Sequence, residues 1–133
     1  MNRHIKFRVW DVKNKKFLPE SYFAILGNGK LIVTLSGYYN DFTNTNQDDY
    51  VIQQYTGLTD SNDNPIYEGD ILKISYGTMG DVIGQVLYEA DEGGYIFQWE
   101  RKGPNQHHIN LNCDVAFESV IVGNILENPE LLK

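Results

Sequence analysis

The chain has little in it that could staple it, anchor it or arm it for catalysis. One cysteine, Cys113, occurs among 133 residues. No intrachain disulfide can form, and a lone thiol fits a reducing cytoplasm. Nowhere do about 18 apolar residues follow one another, as a membrane-crossing helix requires. Arg3, His4 and Lys6 open the chain without the apolar stretch that follows such cations in a secretion signal. There is no Gly-X-Ser-X-Gly, no phosphate-binding loop and no Gly-X-Gly-X-X-Gly after a strand. Gly77-Thr78-Met79-Gly80 lacks the lysine and helix that would make it a phosphate loop. Repeats and low-complexity tracts are missing as well. Cations become scarce after the start: residues 1–16 hold six of the eleven Lys and Arg against one acid, Asp11, for a charge of +5, and the remaining 117 residues sum to −12. An acidic protein is a poor non-specific ligand for phosphate backbones.

What is present is the material of a β-rich core. Apolar residues make up 41% and aromatics 13% of the chain, which excludes intrinsic disorder. A chain of this length predicts one domain, or one domain with a small annex, able to bury roughly two thirds of its unfolded surface. Ile5, Phe7 and Val9 alternate with Lys6, Arg8 and Trp10, the period-2 pattern of a half-buried strand. Lys13-Asn14-Lys15 reads as its hairpin turn. Tyr22–Leu26 and Lys30–Leu35 read as strands around the Gly27-Asn28-Gly29 turn. Residues 36–49, rich in Asn, Asp, Thr and Gly, read as a mobile loop and the best internal boundary. Further strands are predicted over Tyr50–Tyr55, Asp70–Tyr76, Val82–Tyr88, Tyr95–Glu100, His108–Leu111 and Ser119–Ile125, with Gly84 marking a bulge. Helix is scarce; only Glu127–Leu132 is expected to form a turn of it, with Pro129 at its start.

The densest turn chemistry lies in Gln54–Leu72. Gly57 allows a sharp turn, Asp60 to Asn64 can bond their own backbone, and Pro65 fixes its own φ. Ile66 and Tyr67 then resume the apolar pattern before a second tight turn at Glu68-Gly69-Asp70. This reads as strand, loop, short extended piece, turn and strand, with Gly69 at positive φ and Asp70 bonding turn amides.

These residues carry a resemblance. Tyr55-Thr56-Gly57-Leu58, the loop Asp60–Asn64 and Ile66-Tyr67-Glu68-Gly69-Asp70-Ile71 resemble the pattern of the YopX family, proteins of unknown function found in bacteriophages and prophages. The opening Ile5–Asp11 and the closing Val122-Gly123-Asn124-Ile125-Leu126-Glu127-Asn128-Pro129-Glu130-Leu131-Leu132 are similar to the family's two ends. The resemblance implies an all-β fold whose later part is an SH3-like barrel. It brings no reaction and no catalytic residue. Together these readings predict a small, strongly bent antiparallel barrel or sandwich. Residues 1–49 would form an N-terminal β subdomain, a hairpin annex, and residues 50–133 the SH3-like barrel. The expected structural motif is Tyr55, Gly57, Asp60, Tyr67, Glu68, Gly69, Asp70, Gly123, Asn124 and Pro129.

Four constellations hold residue types that can build a site. Asp60-Ser61-Asn62-Asp63-Asn64 begins like a calcium loop, but the sixth and twelfth positions are Pro65 and Ile71 instead of Gly and Glu, so a turn is the better reading. His4, His107, His108 and Cys113 lack zinc spacing, and adjacent histidines point to opposite strand faces; no metal or cofactor is expected. The acids Asp60, Asp63, Glu68, Asp70, Asp91 and Glu92 could supply an acid–base pair, which is the least favoured reading. Lys6, Arg8 and Trp10 share one strand face, where an exposed ring beside two cations could stack a nucleobase or a partner side chain. The plainer reading packs Trp10 under a second layer, with the cations over its rim. The sequence thus predicts a cytoplasmic, non-catalytic binding or accessory module for a phage or host protein. Homo-oligomerisation stays open, and weak nucleic-acid binding by the basic strip is the alternative.

Overall fold

A computed structural model describes residues 3–34, 45–75, 80–100 and 106–132. Among these residues it contains eleven strands and one short α-helix, so the protein is all-β. The chain divides into two compact units, residues 7–53 and residues 1–6 with 54–133. The sequence reading sets its internal boundary at 49/50, with the first six residues in the N-terminal part.

In the smaller unit, β1 (Phe7–Asp11) and β2 (Lys16–Phe17) form a hairpin with Trp10 opposite Phe17. Its turn is closed by Asp11, whose carboxylate accepts from the amides of Lys13 and Asn14 and from the Asn14 side chain. A 3-10 turn over Glu20–Tyr22 leads into β3 (Phe23–Ile25) and β4 (Leu31–Val33), joined through Gly29 at φ 85°. Val9, Leu31 and Val33 are buried, with Leu18, Phe23, Ile25, Tyr50 and Ile52 packed on them. Each such side chain contributes about 1.5–3 kcal/mol when fully removed from water. The alternation expected from Ile5 onward does not hold. Ile5 is 61% exposed and precedes the strand, while Val9 and Trp10 are both buried, because β1 is covered on both faces at its end. Much of the loop expected over 36–49 lies outside the described residues. Its last part is ordered as a 3-10 turn over Gln47–Asp49, capped by the Asn46 side chain.

The strand β5 (Tyr50–Thr59) crosses the division between units. In the larger unit it pairs with β6 (Pro65–Tyr67), with a register shift between Tyr55 and Thr59, where Gly57 takes φ 90°. There follow β7 (Asp70–Ser75), β8 (Asp81–Glu89), β9 (Gly94–Glu100) and β10 (Gln106–Asn110). β11 (Ser119–Asn124) returns beside β7, giving an antiparallel sheet of order β10-β9-β8-β7-β11. Its register stacks Leu72 by Ile121 and Val86 by Phe97. These join Ile66, Ile74, Leu111 and Ala116 in the core.

Two expectations need correction here. Gly84 makes no bulge: it sits opposite Leu72 in a regular β7–β8 ladder. A Cβ there would lie 2.3 Å from the Gln98 carbonyl oxygen and 2.8 Å from the Phe97 ring, so close approach explains the glycine. Within this sheet, the ladder of β11 on β7 carries a register shift, between Ile121 and Gly123. A helix not expected, α1 (Cys113–Phe117), is capped by the Asn112 side chain accepting the Val115 amide.

Candidate functional site

The Glu68-Gly69-Asp70 turn organises the larger unit. The Asp70 carboxylate accepts the Tyr67 amide at 2.8 Å. Gly69, at φ 85°, donates to the Val86 carbonyl and accepts from the Ile125 amide, both at 2.8 Å. Glu68 and Gln54 bond reciprocally: the Gln54 amide donates to the Glu68 carboxylate at 2.6 Å, and the Glu68 amide to the Gln54 carbonyl at 3.0 Å. The Thr56 hydroxyl donates to the Ile66 carbonyl and accepts from the Leu58 amide. Asp60, 3% exposed, accepts from the amides of Asn62 and Asn64 and, 61 residues away, of Ile121. Burial alone would raise its carboxyl, but these donors outweigh burial and hold it below the ordinary 3.8. Asp60 is therefore a joint between segments and Asp70 closes its own turn, and the Asp60–Asn64 run is a turn with Asp63 at φ 65°.

These bonds fix Gln54, Thr56 and Glu68 along a cleft of about 580 Å³. Tyr88, Gly93, Gly94, Tyr95 and Arg3 complete the lining. Tyr88 and Tyr95 are cross-strand partners whose rings meet edge to face at 5.4 Å, a geometry in which aromatic pairs hold one another. Tyr88 is 56% exposed. Burial, then the negative charge of Glu68, pushes the Tyr95 phenol up, with Arg3 acting against them. The stretch before β1 lies along the same unit: the Tyr55 amide donates to the Lys6 carbonyl at 2.8 Å, and the Lys6 ammonium stands 5.8 Å over the Tyr55 ring. Tyr55 in turn meets Tyr67 at 5.7 Å.

The ring of the expected basic strip does not stand open. Lys6 belongs to the larger unit, Arg8 and Trp10 to the smaller. Trp10 is 7% exposed, edge-on to Phe17 at 4.9 Å. Arg8 donates to Gln53 at 2.8 Å and lies over the Phe17 ring at 4.8 Å. The ring that could have stacked a base is thus buried against Phe17. Among the histidines, His107 stacks on Trp99 and His108 reaches Glu92 at 3.6 Å. Among the described residues no three His, Cys, Asp or Glu lie close enough to hold a metal.

At the chain's other end, Asn124 accepts from the amides of Leu126 and Glu127. Gly123 leaves room for Asn128 and Leu131, whose atoms a Cβ would meet at 2.7 and 2.9 Å. Pro129 begins a closing 3-10 turn. Those motif residues are a structural clasp. Sequence reasoning missed Tyr88, Tyr95 and Arg3 as cleft residues. A hairpin centred on Asp91-Glu92 would have set the two tyrosines opposite one another, and that signal was in the chain.

A family model described as YopX protein matches residues 6–133. Among curated proteins nothing matches the chain. Two solved structures are similar over nearly their whole length. Protein EF1440 from Enterococcus faecalis is 24% identical with a TM-score of 0.59, covering 99% of this chain and 100% of that one. Protein yopX from Bacillus subtilis is 19% identical with a TM-score of 0.55, covering 96% and 97%. At these identities the likeness speaks for the fold.

Proposed function

The chain belongs to the YopX family, and on that footing we propose that it is a non-catalytic binding or accessory module that takes a phage or host protein in the bacterial cytoplasm. The observation that carries this reading is the cleft between Glu68 and the Tyr88–Tyr95 pair. Its Gln54 and Glu68 lining is held by amide-to-carboxylate hydrogen bonds at the turn, and preorganisation reduces what binding must overcome. Tyrosines supply contact area with few rotatable bonds and a polar tip, the chemistry of protein-recognition surfaces. The acids nearest the motif are engaged by amides, which favours a structural over an acid–base role for them. The nucleic-acid alternative rests on the basic strip, and with Trp10 packed away the strip lacks an exposed ring on which a base could stack.

The test is affinity capture from phage-infected cells with the wild type, Tyr88→Ala, and Lys15→Ala as a control outside the cleft's lining. A protein captured by wild type and control but reduced at least about tenfold by Tyr88→Ala, at unchanged melting temperature, is the expected result. Equal capture by all three would remove the cleft from the reading.

A further inference from the structure

We propose that β10 is an interface for a second copy of this chain, joined edge to edge so that the two five-stranded sheets run on as one. Among the described residues β10 has a strand neighbour on one side only, β9. Which of its backbone groups face outward follows from the register. The Leu111 amide donates to the Tyr95 carbonyl at 3.0 Å, one step beyond the paired Asn110 and Ile96. Bonded and unbonded positions alternate in an antiparallel pair, so His107, Ile109 and Leu111 turn their amides and carbonyls toward β9. Gln106, His108 and Asn110 turn theirs away, and among the described residues no other backbone group takes up those of His108 and Asn110.

Two other edges of the fold are closed. Across the same sheet, Asp60 accepts the Ile121 amide and the Ser119 carbonyl accepts the Ser61 amide. In the smaller unit, Gln47 and Thr45 bond the outer side of β4. An edge left open is ordinarily guarded by charge, proline or a bulge. β10 has none of these: Gln106-His107-His108-Ile109-Asn110 contains no Asp, Glu, Lys, Arg or Pro, and its ladder with β9 is regular. Residues 7–53 hold five cations and five acids, so the entire net charge of −7 rests on the unit that carries β10. The uncharged strand is where two such acidic units can meet.

The pattern of the strand selects a second copy as the occupant. A two-fold axis through His108 sets that residue opposite itself and Gln106 opposite Asn110, so every outward group meets an outward group. The same register extends the side-chain rows. Trp99 stacks on His107 at 5.8 Å, and His107 would meet Ile109 of the second copy; both are half-buried and gain cover. Glu92 reaches the His108 ring at 3.6 Å, so this acid faces an imidazole. A seam this short is small beside the interface of a permanent dimer, and the pair forms and separates with concentration. No described residue of β10 lines the cleft, so the interface is independent of the binding-module reading.

The test uses the full-length protein in sedimentation velocity from micromolar to millimolar concentration at neutral pH, with amide exchange on the same samples. The sedimenting mass should rise from one chain toward two. The amides of His108 and Asn110 should exchange more slowly at the high concentration, while that of Ile109, bonded to β9 in either state, should not change. His108→Lys and His108→Glu each set like charges opposite one another at the axis, and each should weaken association about threefold or more. Mixed in equal amounts the two variants set a cation opposite an anion, and the mixture should associate more tightly than either alone. That recovery requires a second copy in this register. A single-chain mass throughout the range, concentration-independent exchange at His108 and Asn110, or no recovery in the mixture would each overturn the inference. So would a foreign protein captured by the wild type and lost in both His108 variants while the chain itself stays single, which would assign the edge to that protein.

Discussion

Gly69 illustrates how much can rest on one residue. Its φ of 85° lies where an L side chain is strained, and its amide and carbonyl both bridge to other segments, at Val86 and Ile125. Gly69→Ala should cost on the order of 1 kcal/mol or more, measured as a lower urea midpoint; unchanged stability would remove the positive-φ argument. Asp60 makes a pH-dependent prediction. Its carboxyl is held below the ordinary 3.8 despite burial, by the amides of Ile121, Asn64 and Asn62. A carboxyl with a lower pKa folded than unfolded stabilises fully above the unfolded value, and that stability is lost as pH falls through the folded one. Stability should therefore drop as pH falls from about 5 through 3.8 and below. In Asp60→Asn the acid slope should flatten, and neutral stability should fall by about 1–2 kcal/mol. Asp11 is lowered against its own burial by the Asn14 and Lys13 donors, so part of the slope should survive. Urea midpoints at several pH values decide it. Gly69 was readable because a Glu-Gly-Asp turn between apolar runs demands positive φ. The Ile121 partner of Asp60 was not, since nothing near Asp60 in the chain refers to it.

Strands and their turns were the most legible elements, because Gly27-Asn28-Gly29 and Asp91-Glu92-Gly93-Gly94 state local backbone needs. Their edges were not. The outer edge of β4 is closed by side chains: Gln47 accepts the Leu31 amide at 2.9 Å and donates to the Leu31 carbonyl at 2.8 Å, and the Thr45 hydroxyl accepts the Val33 amide at 2.9 Å. An uncovered edge is a template for pairing with another chain. Gln47→Ala should lower stability by about 1–2 kcal/mol for two lost bonds and raise the self-associated fraction in sedimentation velocity. A variant that self-associates no more than the wild type and is equally stable would deny Gln47 this role. The helix α1 escaped because five residues hold too little periodic signal to register. Asn112 as N-cap was its one readable mark. In the sequence Gly84 reads as a bulge, whereas the cause of the glycine, the Phe97 ring and Gln98 carbonyl arriving from β9, exists only once the sheet is built.

At the scale of the whole molecule, charge decides what the protein avoids. With −7 on the larger unit and a balanced smaller one, binding to oligonucleotides at 150 mM salt should be no tighter than roughly 10 µM, well short of ordinary specific complexes. Titrations at 50 and 200 mM salt measure this. Sub-micromolar affinity that persists at the higher salt and disappears in Lys6→Ala/Arg8→Ala would restore the nucleic-acid reading. The sequence by itself determined the β class, the places where the chain turns and the family motif, since strand alternation and turn residues act within a few residues of themselves. Only the tertiary structure decided that Trp10 faces inward, that residues 1–6 belong with the larger unit, that Asp60 ties to Ile121, and that Arg3, Glu68, Tyr88 and Tyr95 line one cleft. Each of these depends on the register and closure by which distant segments meet, and no local window of sequence contains that information.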